Sequence, residues 1–200
     1  MSTEKQTILV IASRLLGYPS IEFLEEIKEF KMLSDDVLDS NAIKDEFIEI
    51  YSSLEDSAIK EIQELYVETF DLKAKTGMYL TAHELGDSNK RGAALIKLQK
   101  IINQAGFERV DEELVDYIPM LLEFLAVSPE SKEKERLEYR LSIALGRIRS
   151  HLNEETPYFK VLSILMDYVF PNPSKEEIEE LENNQEEADL EEMPYPIMYQ

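Results

Sequence analysis

Apolar side chains return every three or four positions along most of this chain, between short breaks of glycine, proline and capping residues. That period belongs to a helix with one buried face, and β-branched residues are not gathered in the two-residue alternation of a half-buried strand. Ile8, Leu9, Ile11, Ala12, Leu15 and Leu16 form the first stripe; Gly17 offers a cap behind it and Pro19 forbids continuation. Ser20 is placed to cap a second helix carrying Ile21, Phe23, Leu24, Ile27 and Phe30, with residues 34–41 as a connection or short helix. A third helix is expected over 42–54, and a fourth from Asp56 or Ser57 onward, carrying Ile59, Ile62, Leu65, Tyr66 and Phe70. A short helix over 78–85 ends at Gly86, and Asp87 or Ser88 caps a long one that Gly106 closes. Helices over 111–127, 129–152 and 156–170 follow, with Pro129 in a tolerated first turn and Pro119 marking a first turn or a kink. Self-similarity at a period of roughly 20–50 residues, the sign of a solenoid, is missing. The expected fold class is all-α, a single helical bundle over residues 1–170.

The composition, 44% hydrophobic and 32% charged, supplies a core within a charged shell. The net charge of −21 sets up repulsion against a phosphate backbone and an anionic membrane, so neither nucleic acid nor a membrane surface is the expected partner. A basic peptide would be attracted. With no cysteine, disulfides, thiolate-held metals and thiol catalysis are excluded. Residues 1–5 are polar and no secretory pattern follows, and no apolar run approaches the roughly 18 residues of a membrane span. A cytoplasmic location and a monomer or weak dimer are the expectations.

After Phe170 the character changes. Pro171 and Pro173 break the helix, and residues 171–200 hold ten acidic residues against one lysine. This segment reads as an acidic, disordered tail with a transient helix at 175–181. Met193, Pro194, Tyr195, Pro196, Ile197, Met198 and Tyr199 form an apolar cluster near its end, suited to docking transiently in a peptide groove.

His83 and His151 lack a glutamate three positions earlier, the spacing that aims two ligands into a bundle, and both read as surface or helix-end residues. The stretch from Gly86 to Gly92 is only superficially like a phosphate loop, since no strand precedes it. No catalytic residue, metal site or cofactor is assigned.

Three segments carry a family resemblance. Tyr66-Val67-Glu68-Thr69-Phe70-Asp71 is an aromatic-x-x-x-Phe pattern. Tyr79-Leu80-Thr81 is followed by Gly86-Asp87 and by Lys90-Arg91-Gly92-Ala93-Ala94-Leu95. Glu113-Leu114-Val115-Asp116-Tyr117-Ile118-Pro119 leads to Leu122-Glu123-Phe124. Together they resemble the NarJ family of nitrate reductase assembly chaperones, within the group that includes TorD and DmsD. The third segment is similar to that group's Glu-Pro-x-Asp-His signature, with Leu114 in place of Pro and Tyr117 in place of His, so a role for the histidine does not carry over.

The resemblance implies a non-enzymatic chaperone. It would bind the N-terminal segment of the nitrate reductase catalytic (alpha) subunit and hold it competent for molybdenum cofactor insertion. Phe70, Tyr79, Leu80, Leu122 and Phe124 would line an apolar groove, with Asp71, Asp87, Asp116 and Glu123 as its acidic rim. Arg91, Tyr117 and Pro119 complete the expected peptide-binding set, in which Asp116 and Tyr117 are the foremost contacts. Such a groove suits an amphipathic basic helix. Phe70, Leu80 and Phe124 are equally suited to plain core, and Asp87 and Arg91 to capping and pairing at a helix start. A helical adaptor for another basic partner and a metal-carboxylate enzyme remain alternatives.

Overall fold

A computed structural model describes residues 1–71, 73–108, 113–176 and 179. Among them are nine α-helices and no strand: α1 Thr3–Leu15, α2 Phe23–Val37, α3 Asn41–Glu55, α4 Ile59–Phe70, α5 Leu80–Leu85, α6 Lys90–Gln104, α7 Ile118–Val127, α8 Lys132–Ser150 and α9 Pro157–Ile164. A π-turn, Leu165–Val169, closes the bundle, with the Phe170 amide donating to the Leu165 carbonyl at 2.9 Å.

The bundle is built around α1 and α7. Leu9, Ile11 and Ala12 of α1 and Leu121, Leu122 and Leu125 of α7 are all fully buried, and the two helices pack along each other. α7 is apolar on nearly every side, as a helix surrounded by protein must be. α2, α9 and the π-turn also pack on α1, α3 lies against α2 and α9, and α8 closes on α5 and α9. Each buried leucine contributes about 1.5–3 kcal/mol relative to exposure.

The expected stripes bury as read in α1 and α3, and in α4 Ile62, Tyr66 and Phe70 are buried while Ile59 and Leu65 are half-buried. Several ends differ. α2 runs on to Val37 through residues read as a connection or short helix, because Ser34 is buried in helix: its hydroxyl donates to the Phe30 carbonyl and meets the Tyr51 hydroxyl at 2.9 Å. Ile21, counted in that stripe, precedes the helix and is exposed. α4 begins at Ile59 because the Glu61 carboxylate accepts from the Ala58 amide. α8 begins beyond Pro129, where the Ser131 hydroxyl accepts from the Lys134 amide. α7 begins at Ile118, not at Asp111, because residues 113–117 are committed elsewhere. Asp111 itself, much of the expected helix over 175–181 and the apolar cluster from Met193 lie outside the described residues.

Candidate functional site

The three segments that carry the resemblance come together. Residues 78–81 and 116–118 run antiparallel with a single bridge between Tyr79 and Tyr117. The Leu80 amide donates to the Asp116 carbonyl (2.9 Å), and the Ile118 amide donates to the Met78 carbonyl (2.8 Å). Leu80 and Ile118 are the first residues of α5 and α7, so each helix start satisfies the other's first orphan N–H group. Pro119, next in α7, has no N–H to satisfy.

Pleating at this bridge sorts the side chains, because successive residues face opposite ways. Met78, Leu80, Asp116 and Ile118 turn inward and are buried. Tyr79 and Tyr117 turn outward side by side, ring centroids 5.6 Å apart. The Tyr117 hydroxyl meets that of Tyr66, from α4, at 2.9 Å, and the Tyr79 hydroxyl donates to Glu113 at 3.0 Å. Tyr66 packs edge-on against Tyr18 at 5.4 Å and against Phe70 at 5.0 Å. Burial pushes the Tyr66 and Tyr117 hydroxyls above their ordinary pKa. Burial, followed by the bond to Glu113, pushes Tyr79 up to about 12. All three therefore stay protonated near neutrality.

Beneath the tyrosines lies a polar anchor. One Asp116 carboxylate oxygen accepts from the Thr81 amide at 3.1 Å and from the Thr81 hydroxyl, and pairs with the Arg91 guanidinium at 3.5 Å. The Arg91 Nε donates to the Thr81 hydroxyl at 2.9 Å. Asp116 thus caps the second N–H group of α5, where a carboxylate is favoured. Its other oxygen, buried, has no partner among the described residues. The Arg91 guanidinium also lies 6.0 Å from the centre of the Tyr79 ring.

Two adjoining depressions open on this aromatic floor and share Tyr18, Glu113 and Tyr117 as walls. One, of about 200 Å³, extends over Tyr66, Phe70 and Asp71; the other, of about 330 Å³, extends toward Arg14, Glu26, Pro119 and Glu123. The carboxylates Glu26, Asp71, Glu113 and Glu123 outnumber Arg14, which pairs with Glu123 at 3.4 Å. The surface is a half-open aromatic trough with a negative rim. Among the described residues no cluster of three or more histidines and carboxylates is arranged to hold a metal.

Comparison with known proteins gives this trough its context. A family model described as nitrate reductase delta subunit matches residues 36–157, which contain all three segments. A relative from Escherichia coli strain K12, named nitrate reductase molybdenum cofactor assembly chaperone NarJ, is 30% identical over 161 residues, covering 79% of this chain and 67% of its own. The chain belongs to the NarJ family. A Bacillus subtilis relative, named a probable NarJ chaperone of the same kind, is 29% identical over 166 residues, covering 82% of this chain and 89% of its own. A further relative from Escherichia coli, named as a probable NarW chaperone, is 27% identical over 185 residues. These NarJ-family relatives are named as assembly chaperones, not as catalysts, in line with the non-enzymatic reading of the sequence. Among the described residues no helix is long and apolar enough to cross a membrane.

The residues anticipated as the NarJ-type site divide into three groups. Phe70, Asp71, Tyr79, Tyr117, Pro119 and Glu123 line the trough. Leu80, Leu122, Phe124 and Asp116 lie beneath it. Asp116 is therefore not on a rim: at 0% exposure it is an interior anchor, because the pleat turns it away from its neighbour Tyr117. Leu80 and Leu122, at 0%, are core, and Phe124 packs edge-on against Phe107. Asp87 is exposed in the turn after α5, outside both depressions, and Arg91 reaches the site only through Thr81, Asp116 and the Tyr79 ring.

Sequence reasoning passed over Tyr18, Arg14, Glu26 and Met120. The available signal was Tyr18 itself, a large aromatic held in the Gly17–Pro19 break where it serves no helix stripe. It is 57% exposed. His83, read as a surface or helix-end residue, is instead buried at 1% exposure, with Nε2 against the Gly77 carbonyl at 2.6 Å and Nδ1 facing Arg147 at 3.2 Å. His151 is exposed at the end of α8, as read.

Proposed function

We propose that this chain is an assembly chaperone for a respiratory nitrate reductase, acting in the cytoplasm. It binds the N-terminal segment of the catalytic subunit as a helix in the aromatic trough and holds that subunit ready for molybdenum cofactor insertion. The observation that carries this reading is the convergence of all three family segments on one half-open, tyrosine-floored, acid-rimmed surface. The apolar face of an amphipathic helix packs on Tyr18, Tyr66, Phe70 and Tyr117, while its basic residues meet Glu26, Asp71, Glu113 and Glu123. Tyrosine is suited to such contacts, since a rigid ring offers area and its hydroxyl a donor. The names of the relatives support a nitrate reductase as the partner. The binding needs no cofactor, and one copy takes one peptide.

Calorimetric titration of the full chain with a peptide from the catalytic subunit's N-terminus tests this. Binding is expected at one to one and to weaken as salt rises, because ions screen exposed charges over about 8 Å at physiological strength. Glu123→Lys and Tyr117→Ala should each weaken binding at least several-fold while leaving the helical content intact. Asp116→Lys is not a surface probe, since it places a cation in the interior and destabilises the fold. A peptide that does not bind, or binds both surface variants as well as the parent, overturns the proposal.

A further inference from the structure

The chain bears a net −21, yet one groove has the opposite sign. α6 carries Lys90, Arg91, Lys97 and Lys100 and no acidic residue. It packs mainly on α5 and leaves a gap toward α8. That gap encloses about 470 Å³. Its floor is apolar, with Leu98 and Leu137 buried and Ala94 and Ile101 half-buried. Its edges hold Lys97, Lys100, Arg136 and Arg140, with Glu133 as the only carboxylate among the described lining residues. Arg140 is held by Glu84 through two bonds of 2.5 and 2.7 Å. Lys97, Lys100 and Arg136 have no ion pair with any described residue.

We propose that this groove docks the chain's own acidic segment, residues 177–200. Charge selects between this groove and the tyrosine trough. The segment from Glu176 to Glu192 carries ten carboxylates and no basic residue, and the cluster from Met193 to Tyr199 adds apolar side chains. The tyrosine trough is rimmed by Glu26, Asp71, Glu113 and Glu123 and repels such a segment, so the placement suggested by apolarity alone is not the one that electrostatics favours. The α6–α8 groove offers, over an apolar floor, three cations that have no ion pair among the described residues, and matches both properties.

Topology helps as well. The π-turn that launches the segment packs on α8, which is one wall of the groove. Met193 lies nineteen positions beyond Ser174. A flexible chain of that length spreads over about 25 Å. A domain of this size has a radius of gyration of about 15 Å. Tethering then places the segment at an effective concentration on the order of millimolar. The docked segment covers the exposed cationic face of α6, and its hold falls with salt. The inference is independent of the partner assigned to the tyrosine trough.

The absence of cysteine makes a clean test possible. In the full chain, Ala188→Cys is labelled with a nitroxide and amide signals are compared before and after reduction of the label. Signals from residues 94–104 and 133–140 should fall at least twofold, and those around Tyr18 and Tyr117 should not. The loss should disappear at 0.5 M salt and in the Lys97→Glu, Lys100→Glu, Arg136→Glu variant, whose changes are at the surface. Mixing labelled chains with isotope-enriched unlabelled chains reads contact between copies. Broadening that arises only in the mixture, that centres on Tyr117, or that is spread evenly over the domain overturns the proposal.

Discussion

Thr81 makes three hydrogen bonds to two partners: its hydroxyl donates to Asp116 and accepts from Arg91, and its amide donates to the same carboxylate. Thr81→Val keeps the shape and removes the hydroxyl, leaving a buried carboxylate and a guanidinium N–H short of a bond. The expected loss in urea unfolding is about 1–3 kcal/mol. Thr81→Ser retains the hydroxyl and should lose less; a valine variant as stable as the parent would remove Thr81 from this role. His83 offers a second residue-scale test. Burial holds its pKa at about 4, below the ordinary 6.5, so the folded chain resists the proton that the unfolded chain accepts. As pH falls below 6.5, the unfolded state gains protons first and stability declines until the folded pKa is reached. The whole decline amounts to about 3 kcal/mol. Above that window the group is neutral in both states and contributes no slope. His83→Gln should flatten the stability curve between pH 6.5 and 4 relative to the parent, the carboxylate contribution being common to both. Identical slopes would show that His83 takes up its proton in the folded state.

Among elements, α5 is the one whose ends matter most to the site. It has six residues, too few to persist without its caps. Its N-terminus is held by Asp116, 35 residues away, and its C-terminus by Gly86 at φ 54° and ψ −135°. A Cβ at Gly86 meets nothing within 4 Å, so the cost of alanine is backbone strain alone. Gly86→Ala should destabilise by about 1–3 kcal/mol. Gly92, within α6, is equally open but has no positive φ. Gly92→Ala should stabilise by about 0.5–1 kcal/mol, the ordinary helical gain. Thermal unfolding of the two variants should therefore shift in opposite directions, and a shared direction would refute the backbone account. Most helices were readable because their stripes are local patterns. The end of α2 and the starts of α5 and α7 were not, because Tyr51, Asp116 and Met78 supply bonds from distant parts of the chain.

At the scale of the molecule, the boundary near Phe170 is an expectation that truncation can test. Phe170 is buried and closes the π-turn, whereas residues 171–174 form no regular element. Ending the chain after Ser174 should leave a single cooperative transition. The loss should not exceed about 1.4 kcal/mol, the linkage worth of a segment docked roughly ten to one. At 0.5 M salt the full and shortened chains should unfold together. A loss of several kcal/mol would make the segment part of the core.

The sequence by itself determined the helical class, the approximate helix set, the acidic character and the three segments that place the chain in its family. Each follows from spacing, composition or a short run of neighbours. Tertiary structure decided which of those residues face the trough. Asp116 and Tyr117 are adjacent in sequence, yet one anchors a helix in the interior and the other floors a trough, because a single bridge to Tyr79 fixes the pleat. Tyr18 and Arg14 enter the site only because α1 packs beside α7. The signs of the two grooves were hidden for the same reason. A net charge is a sum over the chain, whereas a groove's charge depends on which helix faces come together.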